Sequence, residues 1–356
     1  MSIFAILVFA ALVTQSSATV PLEFIFYANA THVMYVPSNG GGSTVIRSAA
    51  NTKLGYDATT RRLYVFEEIS SKLFSMKLDG SDSQEMFGIG GGIKRFSVDD
   101  INEKIYYISN PTGYTNSRNF DGSNPTELLR QGDLTDIQVD STMKLLFFAA
   151  DESLERDLVV HNITSGEVRT LYNANSSSIR LTIDRLNQII YWISYNTESN
   201  SLMLRKTDYN DNTTVITSSF APSGRPAITQ IGNYYYVLDS TESVIRKYDK
   251  ATDTVVQNIT VYGGATDIIG TNDLDECTQD PCDPFADCTN FIAGYSCVCR
   301  SGYTGNGSVC NDINECTEGP DPCSDGSLCV NENGTYRCDC SPGYTHNGTH
   351  CNGKYI

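Results

Sequence analysis

An apolar-aromatic segment of about strand length recurs along two-thirds of this chain, and its spacing leaves few folds open. The strongest copy is Gln188-Ile189-Ile190-Tyr191-Trp192-Ile193-Ser194. Others are Leu22 to Asn29, Arg62 to Glu67, Lys104 to Ser109, Leu146 to Asp151 and Asn233 to Asp239. With Phe26, Tyr64, Tyr106, Phe148, Tyr191 and Tyr236 taken as equivalent, the spacings are 38, 42, 42, 43 and 45 residues. A period of roughly 40–45 residues with strand-like content marks propeller blades. Six copies mean six blades.

Each period repeats the same order of features. A turn with Asp, Asn or Gly follows the aromatic strand, as in Leu78-Asp79-Gly80-Ser81 and Phe120-Asp121-Gly122-Ser123. Glycine accepts positive φ there without a Cβ clash, which favours a hairpin. A short strand comes next, such as Glu85-Met86-Phe87 or Val168 to Leu171. A further strand then leads back through Tyr56-Asp57, Val98-Asp99, Val139-Asp140 and Ile183-Asp184. Four antiparallel strands per period make the propeller unit, so the fold class is all-β.

The Tyr-Trp strand, the Leu-Asp-Gly-Ser turn and the Val-Asp strand together resemble the YWTD repeat of low-density lipoprotein receptors and nidogen. The resemblance covers about residues 22–270. Only Tyr191-Trp192 keeps the tryptophan, and the motif's aspartate position holds Asn29, Glu67, Ser109, Asp151, Ser194 and Asp239. The chain enters in an aromatic strand and leaves near Gly264 to Ile269 on something like the strand before it. One blade is then completed from both ends, which removes free sheet edges. The resemblance implies the same seal, followed directly by an EGF module. Aromatic burial between blades is reason enough for the repeated rings, so they read as scaffold.

Residues Ile3 to Val13 are apolar and precede Gln15-Ser16-Ser17-Ala18, the pattern of a secretory signal cut after Ala18. No other stretch approaches the roughly 18 apolar residues of a membrane span. All twelve cysteines lie between Cys277 and Cys351, a density that means disulfides in an exported chain. Eight sequons accord with export: Asn29, Asn162, Asn175, Asn212, Asn258, Asn306, Asn333 and Asn347. Of the net charge of −17, residues 271–356 carry −10. Such an acidic balance argues against nucleic acid as a partner.

Six cysteines alone permit fifteen pairings. The two C-x-C pairs, followed by Gly302-Tyr303 and Gly343-Tyr344, resemble EGF domains. That resemblance implies Cys277–Cys288, Cys282–Cys297 and Cys299–Cys310, then Cys316–Cys329, Cys323–Cys338 and Cys340–Cys351. Asp273-Leu274-Asp275-Glu276 and Asp312-Ile313-Asn314-Glu315 precede the two modules as in the calcium-binding subtype. Calcium takes six to eight hard oxygens, which carboxylates, an amide and carbonyls supply. By the resemblance, one ion takes side chains of Asp273, Glu276 and Asn290 with carbonyls of Leu274, Phe291 and Gly294. A second takes Asp312, Glu315 and Asn331 with carbonyls of Ile313, Glu332 and Thr335. Asn290 and Asn331 also match the family's β-hydroxylation pattern. Only Asn311 separates Cys310 from Asp312, as in fibrillin-type pairs, which implies that Tyr303 packs on the Asn333-Gly334 turn.

The expected organisation is a signal peptide at 1–18 and a propeller at 19–271. Calcium-binding EGF-like domains follow at 272–310 and 311–351, with a short tail at 352–356. The function implied is a secreted, calcium-binding glycoprotein that binds other extracellular proteins, the EGF pair serving as spacer, assembly or self-association module. A truncated receptor ectodomain is the alternative. An enzyme is a further one, but no HExxH or GxSxG motif is present. The propeller has two histidines, His32 and His161; His161, next to a sequon in a turn, is expected to be exposed. No ligand-docking residue is nominated.

Overall fold

The computed structural model describes residues 23–130, 134–150, 158–173, 177–196, 201–210, 212–220, 226–272, 276–292, 294–320, 322–323, 327–346 and 351–352. The chain divides into two compact units, Leu22–Leu274 and Asp275–Ile356.

The first unit is a six-bladed propeller of four-stranded antiparallel sheets. Its innermost strands are Asp267–Asn272 for blade 1, Thr52–Asp57 for blade 2 and Ile93–Asp99 for blade 3. Leu134–Asp140, Ser177–Asp184 and Ala227–Ile231 follow for blades 4 to 6. Each inner strand packs on the next, and the sixth packs on the first, so the ring closes. Blade 1 draws Asp267–Asn272 from the far end of the unit and pairs it with Glu23–Ala28, Phe24 opposite Thr271 and Ala28 opposite Asp267.

Paired aromatics in the second strands have a simple cause. Successive side chains of a strand point to opposite faces, and each blade face packs on a neighbouring blade. Tyr106 joins the core shared with blade 4, while Tyr107 joins the core shared with blade 2. Trp192 packs toward blade 4 and Tyr191 toward blade 6. One equivalence differs from the sequence reading. Tyr64, Tyr106 and Tyr191 each pair with the residue two before the inner-strand aspartate, namely Gly55, Ser97 and Thr182. In blade 4 that residue is Gln138, and its partner is Phe147, not Phe148. Phe148 packs back on blade 3, because a one-residue shift reverses the face.

The inner-strand aspartates are buried turn-formers. Asp57 accepts the N–H groups of Thr59 and Thr60, Asp99 that of Asn102, Asp140 those of Thr142 and Met143, and Asp184 that of Asn187. These side-chain bonds replace backbone bonds in the turn to the aromatic strand.

The second unit is built on two hairpins, Ala286–Phe291 with Gly294–Cys299 and Ser327–Glu332 with Thr335–Cys340. Six disulfides cross it: Cys277–Cys288, Cys282–Cys297, Cys299–Cys310, Cys316–Cys329, Cys323–Cys338 and Cys340–Cys351. Among the described residues no helix is long and apolar enough to cross a membrane.

Candidate functional site

In the second cysteine module, Asp312 ends a short strand paired with Tyr303. Its carboxylate accepts Asn331 Nδ2 at 2.6 Å and the Gly334 N–H at 2.5 Å. Asn331 Oδ1, Asn314 Oδ1 and Glu315 Oε2 are buried oxygens with no hydrogen-bond partner among the described residues. Buried oxygens without donors are costly, and carboxylate and amide oxygens of this kind fit a hard cation. The donor set therefore suits calcium. Glu332 and Thr335 face each other across the hairpin end. The Ile313 carbonyl accepts the Glu315 N–H at 3.1 Å. Asn314 did not stand out in the sequence; its place between Ile313 and Glu315 was the only cue.

In the first module, Glu276 opens a short 3-10 turn, and its buried Oε2 has no hydrogen-bond partner among the described residues. Asn290 lies opposite Tyr295, and Phe291 opposite Gly294 at the hairpin end. Asp273 and Leu274 lie outside the described residues. Among the described residues no group of three or more His, Cys, Asp or Glu side chains gathers. The Asp312 loop instead offers two carboxylates, Asp312 and Glu315, and the amide oxygen of Asn314.

The joint between the modules is tight. Gly302 has φ +88°, and a Cβ there would lie 2.1 Å from the Gly334 carbonyl oxygen. A Cβ on Gly334 would meet the Tyr303 ring at 2.6 Å. Tyr303 also stacks on Phe285, with ring centroids 4.5 Å apart.

Of the sequon asparagines, Asn212, Asn258, Asn306 and Asn333 are exposed, and Asn29 and Asn162 are half-buried. Asn29 and Asn162 each hold a turn through Oδ1. Asn175 and Asn347 lie outside the described residues.

His161 departs from expectation. It sits in the strand Leu158–Asn162 with 4 % exposure, and burial pushes its pKa below the usual value. The turn begins one residue later, at Asn162.

The propeller channel carries charges that the sequence did not single out. Arg95 and Asp267 form an ion pair at 2.7 Å with side chains 7 % and 10 % exposed. Asp267 also accepts the Leu54 N–H, and Asp136 the Leu181 N–H. Burial pushes the Asp136 pKa up, while Arg180 and Arg95 pull it down. One mouth is a cavity of about 440 Å³ lined by Lys53, Glu68, Lys94, Arg95 and Arg180 among others. The other, of about 360 Å³, carries Asp100, Asp184 and Arg185.

Residues 312–351 match the calcium-binding EGF domain family. Residues 277–310 match the EGF domain family. Similar curated proteins include signal peptide, CUB and EGF-like domain-containing protein 3 of Mus musculus, 48 % identical over 46 residues, which are 12 % of this chain and 5 % of that protein. Thrombospondin-1 of Xenopus laevis is 48 % identical over 50 residues, 14 % of this chain and 4 % of that protein. This chain thus matches about a twentieth of the length of such relatives. A chain in a crystal structure of a nidogen/laminin complex aligns at a TM-score of 0.61 and 13 % identity, covering 70 % of this chain and 98 % of that one. TolB from Acinetobacter baumannii aligns at 0.55 and 12 %, covering 70 % and 66 %. The first unit is a nidogen-like six-bladed propeller in fold, and it is joined to EGF-type modules.

Proposed function

We propose that this chain is a secreted, calcium-binding glycoprotein that binds other proteins in an extracellular matrix or cell coat. The propeller supplies the binding surface, and the EGF pair is a calcium-stiffened spacer or assembly module. One observation carries this reading: a propeller with the nidogen fold is joined to an EGF module of the calcium-binding family. The solved relative is named as a nidogen/laminin complex, a pairing of proteins. The six disulfides and the secretory pattern before Ala18 favour the same compartment.

Within this reading the chain holds two calcium ions. Asp312, Glu315 and Asn331, with carbonyls of Ile313, Glu332 and Thr335, hold one. Asp273, Glu276 and Asn290, with carbonyls of Leu274, Phe291 and Gly294, hold the other. The support is the buried, donor-less oxygens of Glu276, Asn314, Glu315 and Asn331. Bound calcium would supply the positive charge that such oxygens lack. Extracellular sites of this class have dissociation constants of about 0.1–1 mM, so calcium near that level keeps them largely filled. The sequons are the carbohydrate acceptors, and the domain limits are 1–18, 19–271, 272–310 and 311–351.

The test is capture of partners from native extracellular extract on the secreted chain, with calcium and again with chelator. A protein retained in both conditions supports the reading and assigns binding to the propeller. One retained only with calcium moves binding to the EGF pair. No retained protein overturns it.

A further inference from the structure

We propose that Asn333-Gly334 is a self-modification site, where deamidation to isoaspartate irreversibly opens the joint between the two cysteine modules. The joint itself imposes the reactive pair. Gly334 turns at φ +77°, and a Cβ there would lie 2.6 Å from the Tyr303 ring, so a side chain is excluded. Glycine also leaves the attacking nitrogen uncrowded. In the reaction the Gly334 nitrogen bonds to Asn333 Cγ, the Cγ–Nδ2 bond breaks, and ammonia leaves with the displaced proton. Water then opens the five-membered imide to isoaspartate or aspartate. Isoaspartate runs the backbone through the side chain, adding one methylene and a free carboxylate. The two-residue turn between Glu332 and Thr335 has no slack for that methylene, and Tyr303 loses its seat. The new charge falls next to Glu332 and close to Asp312, whose carboxylate accepts the Gly334 N–H.

The geometry separates this pair from the other described Asn-Gly pairs. Asn333 is exposed, and its side chain makes no hydrogen bond among the described residues. Asn306 is exposed too, but its Oδ1 accepts the N–H groups of Ser308 and Val309 at 3.1 and 3.0 Å. Gly307 beside it is buried against the Cys297 carbonyl. At Asn39-Gly40 both sides of the peptide bond are held. The Asn39 carbonyl accepts Gln257 Nε2, and the Gly40 N–H donates to the Pro37 carbonyl. The Gly334 N–H is held by a side chain, the Asp312 carboxylate at 2.5 Å. Ordering of that carboxylate therefore governs the reaction, and this part rests on the calcium reading of the proposed function. Calcium fixes Asp312 and keeps the nitrogen engaged; its loss frees the turn to open locally and reach the imide geometry. Sugar on Asn333 substitutes the nitrogen that must leave, so the reaction belongs to sugar-free chains.

The test incubates the full secreted chain, made with N-glycosylation inhibited, at neutral pH in calcium and in chelator. Peptide mapping and isoaspartyl methyltransferase labelling read isoaspartate at Asn39, Asn306 and Asn333. Isoaspartate is expected to gather at Asn333, several-fold faster in chelator than in calcium. Protease sensitivity of the joint should rise in step and persist when calcium is restored. In Asn333→Gln the sensitivity gained in chelator should reverse fully once calcium returns. Gly334→Ala, which loosens the joint but crowds the nitrogen, should show cleavage without isoaspartate. Circular dichroism melts confirm that each chain folds, and Thr335→Val, which removes the sequon, is a second route to a sugar-free Asn333. No more isoaspartate at Asn333 than at Asn306 overturns the proposal. So does isoaspartate at Asn333 with the joint as resistant as before. A preference for Asn333 at equal rates in calcium and chelator upholds the site and counts against calcium at Asp312.

Discussion

His161 is buried in its strand, and its Nδ1 has no hydrogen-bond partner among the described residues. Burial favours the neutral ring and lowers the folded pKa. The unfolded chain takes up the proton as pH falls through about 6.5. It therefore binds more protons than the folded chain in that window, and stability falls as the pH drops from about 6.5 toward the depressed folded value. His161→Gln should flatten the dependence of melting temperature on pH between about 7.5 and 5.5. An unchanged slope would remove His161 as its cause. Trp192 is the other critical residue. It has no exposure and packs edge-on against Tyr172 at 5.1 Å, with Arg205 at 5.4 Å from its ring. Trp192→Ala should cost roughly 3–5 kcal/mol, read from urea denaturation.

At the scale of elements, the inner strands are tied by side chains as well as by packing. Val139 N–H donates to Ser97 Oγ and Gly270 N–H to Thr229 Oγ1, each crossing from one blade to the next. Asp267 takes the same part between blades 1 and 2 and also carries the charge of Arg95. Arg95→Leu leaves a buried carboxylate without its counter-ion and should destabilise the propeller by roughly 3–5 kcal/mol. A urea midpoint within error of wild type would contradict this. In the cysteine unit Gly302 lies close against Gly334. Gly334 has φ +77°, and a side chain there would strike the Tyr303 ring. Gly334→Ala should therefore loosen the joint, seen as faster proteolysis between the modules with all six disulfides intact.

For the whole molecule, closure and calcium are the two organising constraints. Glu23–Ala28 is held between Asp267–Asn272 and His32–Pro37, so the strand that starts the propeller also closes it. A chain beginning at residue 30 should lose its cooperative melt, because blades 1 and 6 then share an unfinished core. Calcium removal acts elsewhere. Asp312 is followed within three residues by Glu315 and lies two residues past the Cys310 bridge, so unfilled oxygens there repel at the joint. Chelator should expose bonds near Asp312 to protease while the propeller melt stays unchanged. Equal cleavage with and without chelator would remove calcium from this role.

The period of the aromatic strands was written in local composition, since a half-buried strand shows its two faces in every other residue. That was enough for six blades, for the strand order within each and for the seal between the two ends. The Asp-x-x-Glu stretches and the cysteine spacing were equally local, because their oxygens and sulfurs come from short loops. Phe147 rather than Phe148, the burial of His161 and the charged channel were decided by tertiary structure. Each depends on which face of a strand meets a neighbouring blade, and a one-residue shift reverses that face without changing the composition. The cations of one mouth come from Lys53, Lys94, Arg95 and Arg180, up to 127 residues apart in the chain. Only closure of the ring brings them to one rim.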